Sequence, residues 1–265
     1  MKLNIVPARQ GATWVKLGIQ TFGKQPLALL GLFFMFLALM SVATMLPMVG
    51  LPIAMTMLPA TTLGLMAATL EATKGKFPMP LILLTGFRAG SAKMRAMLML
   101  GGMYATGFLC AMGVSYLVDG GGFARMYLGG QVPTQEMMQS SEFMAAMWTF
   151  IGLHLPLSLL FWHAPALVYW QDLSPAKSMF FSIVACFRNF WAFTVFALTW
   201  IAVMVLMVLA ITTISSLFGN PGLTGTLLFP ALMLVAAMFF TSLYFTFRDS
   251  FEADTPAADL PTPAP

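Results

Sequence analysis

Five long stretches of this chain are apolar and carry no Lys, Arg, Asp or Glu: residues 26–70, 96–118, 143–170, 190–214 and 223–247. About 20 residues of helix cross a hydrocarbon core, so the first stretch, about twice that length, holds two spans and each of the others one. The pattern predicts six transmembrane helices at about 26–46, 51–70, 96–118, 143–170, 190–214 and 223–247. Pro47-Met48-Val49-Gly50-Leu51-Pro52 divides the first pair, because Pro and Gly punctuate it twice within a few residues. Gly219-Asn220-Pro221-Gly222 makes a short turn before the last span, and residues 119–142 form the one sizeable loop on that side. The fourth stretch is long enough to tilt or to project past the bilayer.

The segments before the odd-numbered spans are periodic. At about 100° per residue, Trp14, Leu17, Gly18, Thr21 and Phe22 share one face, while Lys16, Gln20 and Lys24 gather on the other. Before the fifth span, Met179, Phe180, Ile183 and Phe187 line up opposite Lys177, Ser178, Ser182 and Arg188. Leu81–Arg95 repeats the pattern less cleanly. These segments read as in-plane amphipathic helices at headgroup level, with basic residues toward anionic lipid. Phe22-Gly23-Lys24, Phe87-Arg88-Ala89 and Phe187-Arg188-Asn189 each stand just ahead of a span. The even spans carry internal prolines with a Pro-Ala step (Pro59, Pro165, Pro230), and Pro156 besides; the odd spans carry none beyond Pro26 at the first helical turn. The whole reads as a threefold repeat of amphipathic helix, straight span and proline-bent span, its second copy enlarged by the loop.

The fold class expected is therefore an all-α, polytopic membrane bundle of six transmembrane helices with three amphipathic helices on one face. Residues 1–248 form a single transmembrane domain, and the Pro-, Ala- and Thr-rich acidic tail 249–265 is expected to be disordered. Composition agrees: 59% hydrophobic and 8% charged residues, with a mean hydropathy of +0.86, lie far from the roughly one-quarter charged content of soluble domains.

Charge changes the picture by fixing a direction. With the N-terminus inside, twelve of the 13 Lys and Arg residues face the cytoplasm and only Arg125 lies outside. The positive-inside rule thus predicts both termini cytoplasmic. No small-residue cleavage pattern follows a short apolar run, so the first span reads as a retained signal-anchor.

The candidate chemistry is sparse. Cys110 and Cys186 lack a metal-type spacing, and no cofactor or metal is expected. The 24 methionines read as packing filler, a reading that outweighs a Cu(I) path through Met99 and Met103. His154 and His163 are the only titratable residues well inside a span with a pKa near neutrality, and such a group marks a functional site by default. Nine positions apart on one helix, they face opposite ways and cannot share a metal. A neutral imidazole bonded to a neighbouring helix is the plainer reading of each.

His163 is the better binding candidate, with Trp162 beside it, because Pro165 removes a backbone donor and frees a carbonyl near residue 161. Lys16, Lys24, Arg88, Lys93, Arg95, Lys177 and Arg188 are the candidate headgroup contacts. Ala60, Gly64 and Ala68 on the second span, and Gly101-Ala105 and Gly107-Ala111 on the third, favour close helix approach within the chain. Gly120-Gly121-Gly122 lacks the Lys-Ser/Thr of a phosphate loop, and no nucleophile elbow, HExxH or dinucleotide fingerprint is present. These absences argue against an enzyme, and the lack of intramembrane carboxylates argues against ion-coupled transport.

Three stretches carry a resemblance: LNIVPARQGATWVKLGIQTFGKQPLALLGLFFMF, FWHAPALVYWQ and FFTSLYFTFRDSF. They resemble an uncharacterised family of multi-spanning inner-membrane proteins of β-proteobacteria, over nearly the whole chain. The resemblance implies the bacterial inner membrane and supplies no catalytic residue. The expected function is a non-enzymatic envelope component that meets lipid, a membrane-protein partner or a second copy of itself, with no nucleic acid. The alternative is a channel or transporter for a small uncharged or amphipathic solute, lined by His163 and the even spans.

Overall fold

Apolar runs of this length meet no water in a bilayer, so they close their peptide hydrogen bonds within helices. The computed structural model describes residues 2–220 and 222–252. A two-residue strand β1 (Lys2–Leu3) leads into α1 (Gln10–Lys24), and α2 (Pro26–Thr44) follows with Pro26 in its first turn. A tight turn with Met48 at φ +64° reverses the chain into α3 (Gly50–Thr73).

The expected amphipathic helix over 81–95 does not form. Pro78 and Pro80 confine the chain to a 3₁₀ turn at Pro80–Leu84, and the single turn α4 (Thr85–Arg88) follows it. Gly90, at φ +94°, breaks the chain before α5 (Ser91–Asp119), so the third long helix starts before Ala96 and includes Lys93 and Arg95.

The loop 119–142 is partly helical, with α6 (Gly122–Gly129) and α7 (Gln135–Gln139). Asp119 accepts from the backbone N–H groups of Gly121 and Phe123 at 2.8 and 2.6 Å and so starts α6. The fourth span is divided into α8 (Ser141–Phe161) and α9 (Ala164–Trp170). Then come α10 (Pro175–Arg188), α11 (Phe190–Leu217), α12 (Gly222–Ser250) and strand β2 (Phe251–Glu252). Pro59 and Pro230 lie inside continuous helices; the interruption comes at Pro165.

Among the described residues, six helical stretches are long and apolar enough to cross a membrane: α2, α3, α5, α8 with α9, α11 and α12. The protein is an all-α polytopic bundle. The small-residue stripes serve packing within the chain. A Cβ built on Gly101 would run into the backbone carbonyl of Thr56 in α3, one on Gly107 would meet Leu157 in α8, and one on Gly64 would come within 2.6 Å of Leu83. The central core joins Ala60, Leu63, Leu100 and Leu243 to Ala164, Ala166 and Leu167 of α9. A second core joins Phe33 and Phe36 to Leu65, Ala68 and Ala237. An aromatic cluster of Phe108, Phe123, Phe143 and Phe150 closes the end that carries α6.

The first four residues of the tail expected from Asp249 onward are ordered. Asp249 and Ser250 finish α12, and β2 pairs antiparallel with β1, Lys2 facing Glu252 and Leu3 facing Phe251. Residues 253–265 of that expected tail lie outside the described residues.

Candidate functional site

The end of the bundle that carries both chain ends concentrates the polar contacts. Trp14 in α1 donates its indole N–H to Asp249 Oδ2 at 2.9 Å, and Gln10 Nε2 donates to the same oxygen at 2.7 Å. Arg248 Nε pairs with Oδ1 at 2.6 Å. One carboxylate thus binds α1 to the end of α12. Glycines let α1 settle closely: a Cβ on Gly11 would strike the carbonyl of Ala192 in α11, and one on Gly18 would lie 2.6 Å from Ser242 Cβ in α12. The buried residues of α1 are Gly11, Trp14, Val15, Gly18, Thr21 and Phe22. Its apolar face, read from sequence as facing lipid, is covered by α11 and α12, with Phe22 at its end packed into the core of α2 and α3. Asn189, between α10 and α11, holds the extended N-terminal segment as a strand would: its Oδ1 accepts from Val6 N at 2.8 Å and its Nδ2 donates to Asn4 O at 3.0 Å.

The interruption between α8 and α9 is filled by a side chain. In a regular helix the N–H of His163 would bond the carbonyl of Leu159. Here His163 N donates to Ser182 Oγ at 2.9 Å, and that hydroxyl donates to Leu159 O at 2.8 Å. Ser182 from α10 is therefore inserted into the ladder, a recognised cause of helix kinks. The gap opens at Leu159, two residues earlier than the carbonyl of residue 161 that Pro165 led us to expect. Cys186, one turn on, places Sγ 3.9 Å from the same carbonyl, and burial pushes its thiol up to about 12. Cys110 and Cys186 are both free.

This arrangement turns α10 over relative to its sequence reading. Ser178, Ser182, Ala185 and Cys186 are buried, while Phe180 and Phe187 are 60% and 63% exposed. Lys177 and Arg188 stay on the exposed side with the phenyl rings. Phe180 and Phe187 do face away from the protein, as an interfacial helix requires, while Met179 and Phe181 are half-buried against the central core. The serines, expected to share the solvated side with the cations, instead satisfy the protein's own backbone.

The predicted site residues are not brought together. His163 is fully buried against the rings of Phe193, Phe247 and Phe251, with centroids at 5.8, 6.1 and 5.4 Å. Neither ring nitrogen has a hydrogen-bond partner. Trp162 donates its indole N–H to Thr246 Oγ1 at 3.1 Å and sits edge-on to Phe193 and Phe196. His154 stacks on Phe150 at 5.1 Å, with Tyr104 and Phe108 edge-on to it. It belongs to the α5–α8 seam, away from the ring partners of His163. Among the described residues no group of three or more His, Cys, Asp or Glu could hold a metal.

Of the seven candidate cations, Lys16, Lys24, Arg88, Arg95, Lys177 and Arg188 are exposed. Lys93 differs. Its Nζ donates to the carbonyl of Tyr169 at 2.8 Å, pairs with Asp172 at 2.9 Å and lies 5.0 Å from the Tyr169 ring centroid. It closes the C-terminal end of α9 against α5. Sequence reading missed Asp249, Asn189 and Ser182. Only Ser182 left a trace, as the middle of a Ser178-xxx-Ser182-xxx-Cys186 stripe of small residues on an otherwise bulky helix.

Six apolar helices, a short antiparallel clasp of the chain ends and a cationic, aromatic-rich end define a polytopic α-helical membrane protein. The chain is 33% identical over 261 residues to a probable inner membrane protein of Burkholderia thailandensis, with 97% of each chain covered. It belongs to this inner-membrane family, in agreement with the resemblance carried by residues 3–36, 161–171 and 239–251. No family profile matches the chain, and no solved structure matches it.

Proposed function

We propose that the protein is a non-enzymatic component of the inner membrane whose clasped end faces the cytoplasm and binds anionic phospholipid. One observation carries this reading: Lys16, Lys24, Arg88, Arg95, Lys177 and Arg188 are all exposed at the end where β1 and β2 pair. Each cation near an anionic surface adds roughly 1 kcal/mol of attraction, so six amount to a substantial field. The orientation rests on the same asymmetry, with Arg125 alone of 13 Lys and Arg residues at the other end.

Native mass spectrometry in mild detergent tests the binding. Phosphatidylglycerol or cardiolipin is expected to stay bound where phosphatidylethanolamine is stripped, and equal loss of all three would overturn the reading. Reporter fusions at residues 75, 130, 175 and 255 should read inside, outside, inside, inside. A solute pathway lined by His163 is the weaker alternative, because the imidazole is enclosed by phenyl rings rather than by polar groups.

A further inference from the structure

We propose that the outward face of α10, continued into the first turn of α11, is the seat of the bound anionic phospholipid, and that α1 is not. This rests on the lipid-binding reading above and assigns it to one place. Phe180, Phe187, Phe190 and Trp191 are 60%, 63%, 53% and 70% exposed. Lys177 and Arg188 are exposed beside these rings, Lys177 ahead of Phe180 and Arg188 between Phe187 and Phe190. The opposite side of α10 is committed to the protein through Ser182 and Cys186.

Trp191 combines an apolar ring with a polar N–H and so favours the headgroup boundary, and Phe rings on an interfacial helix sink to the acyl side of it. Lys177 and Arg188 stand about 16 Å apart along the helix, so each offers its own phosphodiester a donor close to the strip of rings that anchors the acyl chains. Helix α1 carries Lys16 and Lys24 but has no such strip. Its aromatic residues Trp14 and Phe22 are buried at 0% and 2% exposure, and its outward side is Lys16, Gln20, Gly23 and Lys24. The cations of α1 therefore stand in water above the surface, where a lipid finds charge but no apolar seat.

The full chain in nanodiscs containing phosphatidylglycerol provides the test, read by two measurements. In the first, Lys177→Gln/Arg188→Gln is compared with Lys16→Gln/Lys24→Gln. The α10 pair is expected to lower phosphatidylglycerol retention about tenfold or more, from the attraction of two cations held near the surface, and the α1 pair about twofold or less. An α1 pair that loses as much lipid as the α10 pair overturns the assignment and leaves the lipid-binding reading standing. A wild-type chain that retains no phosphatidylglycerol overturns both.

In the second measurement, nitroxide labels at Phe180→Cys, Phe187→Cys and Gln20→Cys report depth in a Cys110→Ala background, where the buried Cys186 stays unlabelled. Oxygen should dominate collisions at 180 and 187, and a water-soluble nickel chelate at 20. Equal access of the chelate to all three positions overturns the proposal.

Discussion

Helix α1 lays Trp14 and Val15 on α11 and α12, sets Phe22 in the core of α2 and α3, and turns Lys16 and Lys24 outward, whereas α10 buries Ser178, Ser182 and Cys186 and leaves Phe180 and Phe187 outside. Both helices are amphipathic, and both precede a span. What separates them is the surface each one meets. Helices α11 and α12 offer α1 an apolar floor with backbone close enough to require Gly11 and Gly18. The α8–α9 interruption offers α10 a backbone N–H and a carbonyl without partners, and a hydroxyl satisfies both. A buried peptide group left unpaired costs about 1–3 kcal/mol, comparable to the gain from covering one phenyl ring. Polar need at the receiving surface can therefore reverse the face that hydrophobicity alone would bury.

The largest test of this contrast is Gly11→Leu. Its side chain would collide with the carbonyl of Ala192 and the backbone of Phe196, so α1 should lose its seat at a cost of about 3 kcal/mol. A lowered thermal midpoint in detergent would report it, and an unchanged midpoint would mean that α1 is not held as described. Next, Ser182→Ala strips the inserted hydroxyl from His163 N and Leu159 O. A loss of about 1.5 kcal/mol is expected, with amide exchange at His163 accelerated about tenfold. Ser178→Ala is the control, since that hydroxyl bonds only Pro175 O, within its own helix. The smallest effect belongs to Phe187→Ser on α10, expected within about 0.5 kcal/mol of wild type in detergent. Phe22→Ser on α1, at 2% exposure, should cost about 3 kcal/mol by comparison. Equal losses at the two positions would erase the distinction.

The spans were legible because charge-free apolar tracts admit few structures other than a membrane helix, and Pro165 announced the interruption in the fourth. The middle amphipathic segment misled because its Phe-basic pair is local, whereas Pro78, Pro80 and Gly90 decide the backbone there. Asp249 was read as the start of a tail because Pro, Ala and Thr follow it. Its partners Gln10 and Trp14 lie 239 and 235 residues away in the chain, a pairing that no local pattern carries. Ser182 stood in view, but its bonding depended on where the ladder of another helix opened.

The clasp of chain ends sets an order of events during synthesis. The floor of α1 comprises Ala192, Phe196, Ser242 and Asp249, so it does not exist until nearly the whole chain has left the ribosome. While the first four spans are inserted, Trp14 lacks its partners Ala192, Phe196 and Phe245. Meanwhile α1 waits at the membrane surface as the in-plane helix that its periodicity describes, with only Phe22 at its end able to join the core of α2 and α3. Its transfer from lipid to α11 and α12 is then the closing step of assembly. A chain that stalls before residue 249 keeps this first helix as a surface anchor instead of a packed one.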